Sequence, residues 1–302
     1  DDFVDYCLVD TTLLRKCDEK LHCIDFHLAL QQLCGVAFFS THNVSRYFRG
    51  LIARRTDLKA PSSFIQEREP LQAAWVKPAI PGRHEDVALL DFASLYPNII
   101  LSNNLCWTTK RDGPGENILS LGNGTFWDQS EQGLLPSVVE EMLMVRKEYK
   151  RMMKAAKTDD ERLAYNMLQA ATKVAVNAIY GMCGSKRVGG MWSDYDIARS
   201  ITYKGREAIS MLVSESEKLG YKALAGHTDS VYVTVPEEKT QWLAEHLTDI
   251  SHNQLKMKFL DVEWEAFFPY WTTTGTNKNF GIKSHPPEEA GQMKITGFEA
   301  KA

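Results

Sequence analysis

The stretch Val87-Ala88-Leu89-Leu90-Asp91-Phe92-Ala93-Ser94-Leu95-Tyr96-Pro97 constrains this chain more than any other. Four apolar residues in a row predict a strand buried on both faces. That strand delivers one carboxylate, Asp91, and a turn ending in proline follows. A bare carboxylate at the end of a core strand is costly unless something holds it. On this stretch alone two readings stand level. Asp91 caps the helix predicted over 95–101, or it binds a metal ion.

A chain of 302 residues buries a large core, in two or more subdomains. Its 44% hydrophobic and 25% charged content is that of an ordinary soluble globular protein. No apolar run approaches the length that spans a bilayer, and no signal-peptide pattern opens the sequence. A membrane protein and a secreted one are therefore not expected. The chain starts on Asp1 rather than Met, which suggests a fragment or a processed product. Cys7, Cys17, Cys23, Cys34, Cys106 and Cys183 show no C-x-x-C spacing. They read as reduced, mostly buried thiols in a cytosol-like compartment, without zinc. The net charge of -4 announces no nucleic-acid binder, so local charge has to carry any such role.

Along the chain, apolar residues recur at helical spacing over 1–35. A short helix over 44–53 and a polar, proline-containing loop over 57–70 follow, the loop being a candidate boundary. Residues 73–77 read as a strand that turns through Pro78 and Pro81 and pairs with 87–92 as a hairpin. Residues 110–134 read as loop or irregular hairpin. Pro136 suits the first turn of a long helix running to about 157. Asp159 or Asp160 caps a second helix to about 179, and a short turn makes the two an antiparallel pair. A glycine-rich turn over 181–190 leads to a third long helix over 195–219. Strands over 222–226 and 231–235 join tightly through His227-Thr228-Asp229-Ser230. A helix over 242–256 and strands over 259–268 and 270–282 complete the reading.

Three constellations carry chemistry. Asp229 at the hairpin tip is either an ordinary turn former or a second carboxylate brought beside Asp91. Two carboxylates from separate strand ends suit a pair of Mg²⁺ ions, which take oxygen ligands and keep several waters. Such ions ~4 Å apart activate an attacking hydroxyl and stabilise a leaving phosphate oxygen. On the helix pair, Arg146 and Lys150 share one face, and Lys173 and Asn177 share another. If those faces meet, three cations and an amide suit a triphosphate. Over 146–157 the first helix also carries Lys147, Arg151, Lys154 and Lys157 against Glu148 alone. That excess is either a solvated face or a phosphate surface. Tyr96 is either a core tyrosine or the floor under a bound sugar.

Together these pieces resemble the family B DNA-dependent DNA polymerases. Asp91-Phe92-Ala93-Ser94-Leu95-Tyr96-Pro97 resembles their first motif, D-x-x-S-L-Y-P. Lys173-Val174-Ala175-Val176-Asn177-Ala178-Ile179-Tyr180-Gly181 resembles the fingers motif, K-x-x-x-N-[S/A]-x-Y-G. Thr228-Asp229-Ser230 is similar to the core of the third, D-T-D-S. The order also agrees. Further likenesses are Tyr6-x-x-x-Asp10 to the last exonuclease motif, and Ile201-Thr202 with Gly205-Arg206 to the helix before the third motif. Asp261-Val262-Glu263-Trp264-Glu265 resembles an acidic palm strand, and Gly297-Phe298-Glu299 the last palm motif.

The resemblance implies an α+β fold: a polymerase palm of antiparallel sheet with packed helices, plus antiparallel two-helix fingers. It implies the C-terminal end of a 3′–5′ exonuclease domain over 1–35, without proofreading from this chain alone. Linker and palm follow over 36–133, fingers over 134–181, and palm again over 182–302, with the thumb absent. The implied reaction is transfer of dNMP to a primer 3′-hydroxyl with release of pyrophosphate. Asp91 and Asp229 would hold two Mg²⁺ ions with the Phe92 carbonyl, and Glu265 would lie near them. Ser94, Leu95, Arg146, Lys150, Lys173 and Asn177 would hold the triphosphate. The Tyr96 ring would lie under the sugar and reject a ribose 2′-hydroxyl. Tyr180 and Gly181 would line the templating pair, and Lys278 would face the primer–template. Implied partners are primer–template DNA, dNTP, and a sliding clamp or other replication proteins, in the cytoplasm, nucleoid or nucleus.

The sequence also departs from the family pattern. His227 replaces the first Asp of D-T-D-S, which weakens local negative charge and makes metal use pH-sensitive. Leu71-Gln72-Ala73-Ala74 replaces Y-x-G-G/A, which bears on DNA switching between sites. Asn277 and Asn279 remove two cations from K-K-R-Y, and Ala302 stands where an Arg is usual. A weak, salt-sensitive grip on DNA is expected. The absence of a large insertion between the first two motifs argues against the protein-primed branch. A catalytically weak or inactive polymerase-like DNA-binding scaffold is the competing expectation.

Overall fold

A computed structural model describes residues 2–57, 71–72, 75–184, 192–276 and 278–297. In chain order the helices and strands are α1 (Asp2–Leu21), α2 (Cys23–Cys34), α3 (Val44–Ala53), β1 (Gly82–Phe92), α4 (Leu95–Ser102), β2 (Lys110–Arg111), β3 (Ile118–Ser120) and β4 (Phe126–Asp128). Then come α5 (Leu134–Ala155), α6 (Asp159–Cys183), α7 (Tyr195–Lys218), β5 (Lys222–Gly226), β6 (Ser230–Thr234), α8 (Glu237–Asn253), β7 (Val262–Gly275), β8 (Lys278–Ile282) and β9 (Met293–Thr296). The chain divides into two compact units, Asp1–Arg68 with Gln132–Tyr195, and Glu69–Glu131 with Asp196–Ala302. The architecture is α+β, as the sequence implies.

The first unit is helical. α5 and α6 pack along each other, joined by a short turn. The cap of α6 is Thr158, one residue before the expected Asp159. Its hydroxyl accepts from the Glu161 amide at 3.2 Å, and Glu161 reaches back to the Lys157 amide at 2.9 Å. The two bonds satisfy orphan amides at the helix start. Three acids in the first turn, Asp159, Asp160 and Glu161, suit its positive end. α6 continues through Gly181 to Cys183, so the fingers motif lies wholly within helix. α2 and α3 pack on α6. Ala171, Ala175 and Ile179 form its buried stripe. Gly50 lets α3 approach α2 closely, since a Cβ there would stand 2.4 Å from the Cys34 carbonyl oxygen. No residue of α1 is buried within this chain.

The second unit is built on a six-stranded antiparallel sheet in the order β5-β6-β1-β7-β8-β9. β1 is central, with Val87, Ala88, Leu89 and Leu90 essentially inaccessible. One face buries Val87, Leu89, Leu224, Ala225, Tyr232, Ala266, Phe268 and Trp271. α8 packs on β1 and β7.

Two strand expectations are corrected. Residues 75–77 do not form a hairpin with β1; of that segment, 73–74 lie outside the described residues. Lys77 instead bridges Gly226, with amide–carbonyl distances of 3.1 and 3.2 Å. Both edges of β1 are already taken by β6 and β7, and Pro78 and Pro81 interrupt any ladder. The two strands expected over 259–282 are in fact one long β7 crossing Pro269, then a hairpin to β8. Pro269 is tolerated because it stands opposite Asp86, whose φ of 50° breaks the ladder between the pairs Val87↔Phe268 and Glu85↔Tyr270. Where loop or irregular hairpin was expected, β2, β4 and β3 form a small antiparallel sheet. It is tied to α7 by Lys110–Asp196 at 2.6 Å and by the Thr125 and Ser200 hydroxyls at 2.9 Å.

Candidate active site

The centre of the second unit is the end of β1. Asp91 is paired in register with Ser230 of β6 on one side and with Glu263 of β7 on the other. The Phe92 amide donates to the Asp229 carbonyl at 2.9 Å, and the Ala93 amide donates to the Asp261 carbonyl at 3.1 Å. The first bond locks the first motif against the hairpin tip that bears Asp229, and the second ties it to the residue before β7. The Asp91 carboxyl is pushed up to about 8. Burial is the largest cause; the negative charges of Asp229, Glu265 and Glu263 add to it, and Lys294 opposes it.

Asp91 does not cap the following helix. Ser94 occupies that position, in a left-handed conformation with φ 53° and ψ 54°, and its side chain makes no cap bond. A serine there is strained relative to glycine. The turn is held by Asn98, whose side-chain amide donates to the Ala93 carbonyl at 2.6 Å. α4 therefore begins at Leu95 with no cap bond from the Ser94 side chain. That is a suitable place for an anion. Tyr96, the next residue, is half-buried.

Among the described residues no three His, Cys, Asp or Glu side chains close on an ion. The donor set nevertheless fits Mg²⁺, which makes few protein contacts and keeps its waters. A half-buried carboxylate with three acids around it, opposed by one lysine, lacks the positive charge that such a cluster requires. Asp91 and Asp229, with the Phe92 carbonyl, are the residues that could hold such ions. Glu265 accepts from Lys294 at 3.2 Å, so its charge is partly answered within the fold. Sequence reasoning placed Glu263 in an acidic palm strand without giving it a role, and did not single out Lys294 or Asn98. The place of Glu263 beside Asp91 follows from strand register, and that of Lys294 from its side chain on β9 meeting Glu265 of β7. His227 donates its backbone amide to the Ser230 carbonyl at 2.8 Å, and its ring stands edge-on to Tyr232 at 5.9 Å. Lys278 is exposed on β8, next to Asn279, which is 1% exposed.

In the first unit, Arg146 and Lys150 lie one turn apart on α5. On α6, Lys173, Asn177 and Gly181 form an exposed file at four-residue spacing, and Tyr180 is half-buried beside them. The expected features at Ala73-Ala74, the 185–190 turn, Asn277, Phe298-Glu299 and Ala302 lie outside the described residues.

Comparison with known proteins bears on this arrangement. The model for "DNA polymerase family B" matches residues 56–301. The DNA polymerase delta catalytic subunit of Caenorhabditis elegans is 28% identical over 324 residues, covering 97% of this chain and 30% of its own length. A DNA polymerase of Thermococcus sp. (strain 9oN-7) is 29% identical over 278 residues, covering 89% of this chain and 35% of its own. The solved structure of the family B DNA polymerase from the hyperthermophilic archaeon Pyrobaculum calidifontis shares the fold. Its TM-score is 0.67 at 24% identity, over 93% of this chain and 36% of that one. The chain thus spans about a third of the length of these relatives. The match to the family model over most of its residues shows that this chain belongs to DNA polymerase family B.

Proposed function

We propose that this chain is the palm and fingers portion of a DNA-directed DNA polymerase, which adds deoxynucleotides to a primer 3′-hydroxyl on a template strand. In this reading 134–181 are fingers, 36–133 and 182–302 linker and palm, and 1–35 the end of an exonuclease domain. The observation that carries it is the half-buried Asp91 carboxylate, locked beside Asp229 at the end of the central strand and surrounded by further acids.

The primer 3′-oxygen bonds to the α-phosphorus of a dNTP, the bond to the β-phosphate bridging oxygen breaks, pyrophosphate leaves, and the hydroxyl proton goes to solvent. Two Mg²⁺ ions, when bound by Asp91, Asp229 and the Phe92 carbonyl, neutralise developing charge on the phosphate oxygens. The rest is positioning by this chain. Leu95 and the Ser94 turn present amides to phosphate. Arg146, Lys150, Lys173 and Asn177 grip the triphosphate. Tyr96 lies under the sugar, Tyr180 and Gly181 line the templating pair, and Lys278 holds the duplex. Primer–template DNA and dNTP are the partners, and a replication clamp is a candidate.

The test is primer extension by the parent polymerase in low salt with Mg²⁺. Asp229→Ala should reduce the rate by at least about a thousandfold. Lys173→Ala should mainly raise KM for dNTP. Undiminished extension by Asp229→Ala would remove the assignment, and template binding without any extension by the parent would favour a DNA-binding scaffold.

A further inference from the structure

Gly205 lies near the middle of the 24-residue α7. Glycine is a poor choice inside a helix, because its backbone loses the most freedom on folding. No positive φ accounts for it. Its surroundings do. A Cβ built on Gly205 would stand 3.3 Å from Cε1 of Tyr96, 3.7 Å from Cδ1 of Ile99 and 3.8 Å from Cδ2 of Leu95, all on α4. The last two are ordinary contacts. The first is too close, so the Tyr96 ring would have to give way by a few tenths of an ångström.

α7 itself is fixed on both sides of Gly205. Ser200 is bonded to Thr125, and Arg206 donates to the Gln72 carbonyl at 2.9 Å. Tyr96 is half-buried, and Cε1 of its ring faces the Gly205 position on α7. A Cβ at position 205 therefore presses the ring away from α7.

We propose that Gly205 is a positioning residue for nucleotide-sugar selection: its bare Cα sets how deeply the Tyr96 ring sits, and so the room left for a 2′-hydroxyl. This rests on the reading of Tyr96 as the ring under the sugar. Gly205 touches no nucleotide and acts only through that ring.

The test is a cycle in the parent polymerase: unaltered, Gly205→Ala, Tyr96→Val, and both changes together. KM and kcat are measured for a dNTP and the matching rNTP. Tyr96→Val should raise relative ribonucleotide use by about tenfold or more. Gly205→Ala should move the opposite way: a several-fold higher KM for dNTP, little change in kcat, and a larger loss with rNTP. Once Tyr96 is Val, Gly205→Ala should leave the rNTP/dNTP ratio unchanged within about twofold. If the glycine change shifts that ratio equally with and without the ring, or never shifts it while Tyr96→Val relaxes it, the inference is overturned. If Tyr96→Val itself leaves the ratio unchanged, the sugar reading of Tyr96 is what fails. Should Gly205→Ala alone not fold, recovery of the fold in the double variant with the Tyr96→Val ratio supports the contact. Failure of the double variant to fold overturns it.

Discussion

Burial and three neighbouring acids raise the Asp91 carboxyl to about 8, against an ordinary value of 3.8. The folded, metal-free protein therefore binds this proton more tightly than the unfolded chain does. Its contribution to stability is fully present below about pH 4, falls as pH rises, and levels off above about pH 8. Asp91→Asn keeps the shape and removes the charge. In chelator it should match the parent near pH 4 and exceed it near pH 8, by about 1 kcal/mol or more, in thermal melts across that range. Added Mg²⁺ should raise the parent's melting point at pH 8 and not the variant's. Equal pH profiles would mean that Asp91 is better solvated than its surroundings indicate. A second residue invites the opposite kind of change. Asn279 is 1% exposed, and neither side-chain amide atom meets a partner among the described residues. An unpaired buried amide costs about 1–3 kcal/mol, and valine suits a strand. Asn279→Val should raise the unfolding free energy by about 1 kcal/mol, read as a higher denaturant midpoint with an unchanged slope.

Between elements, the C-terminal end of α3 is clamped to α5 by a two-pronged pair: Arg55 donates to the two Glu141 carboxylate oxygens at 2.6 and 2.7 Å. The hydrogen bond from Arg55 holds the Glu141 carboxyl below its usual range. A depressed carboxyl contributes stability above its unfolded value and loses it as pH falls through the folded one. Arg55→Ala should therefore cost about 0.5–1 kcal/mol more near pH 7 than at pH values well below the ordinary 4.5 of Glu141, where only the loss of the Arg55 bond to the Leu51 carbonyl is left, read as the difference in melts across that range. Such clamps cannot be read from sequence, because Arg55 and Glu141 are far apart in the chain and lie at no fixed spacing. The helices themselves were legible: α3 and the α5–α6 pair follow from apolar periodicity and a capping threonine or aspartate nearby. Strand order was not. Nothing in residues 75–77 says that the end of β5, rather than β1, is the neighbour of Lys77, and the break at Asp86 that admits Pro269 is a backbone event. The candidate site was legible at Asp91 and Asp229, where carboxylates stand at the end of an apolar strand and at the tip of an apolar hairpin. It was not legible at Glu263 or Gly205, whose relation to the site comes only from register and from packing of α4 on α7.

At the scale of the whole chain, a net charge of -4 means that its overall field does not attract DNA. A grip on duplex must come from a few local cations, each displacing roughly one condensed counterion. Lys278 is one such candidate: exposed at the start of β8, in a segment where Asn277 and Asn279 are neutral. With so few contacts, each weighs heavily. Lys278→Ala in the parent polymerase should weaken primer–template binding by a similar factor on every sequence. It should also reduce the slope of log affinity against log salt by about 0.9. Fluorescence anisotropy over a salt series, with three unrelated duplexes, measures both quantities. A loss confined to one sequence would make Lys278 a base reader, and an unchanged slope would place it off the duplex. Asp91→Asn under the same conditions should leave the slope intact, because that carboxylate faces metal rather than phosphate in the proposed arrangement. The two variants together thus separate DNA grip from chemistry.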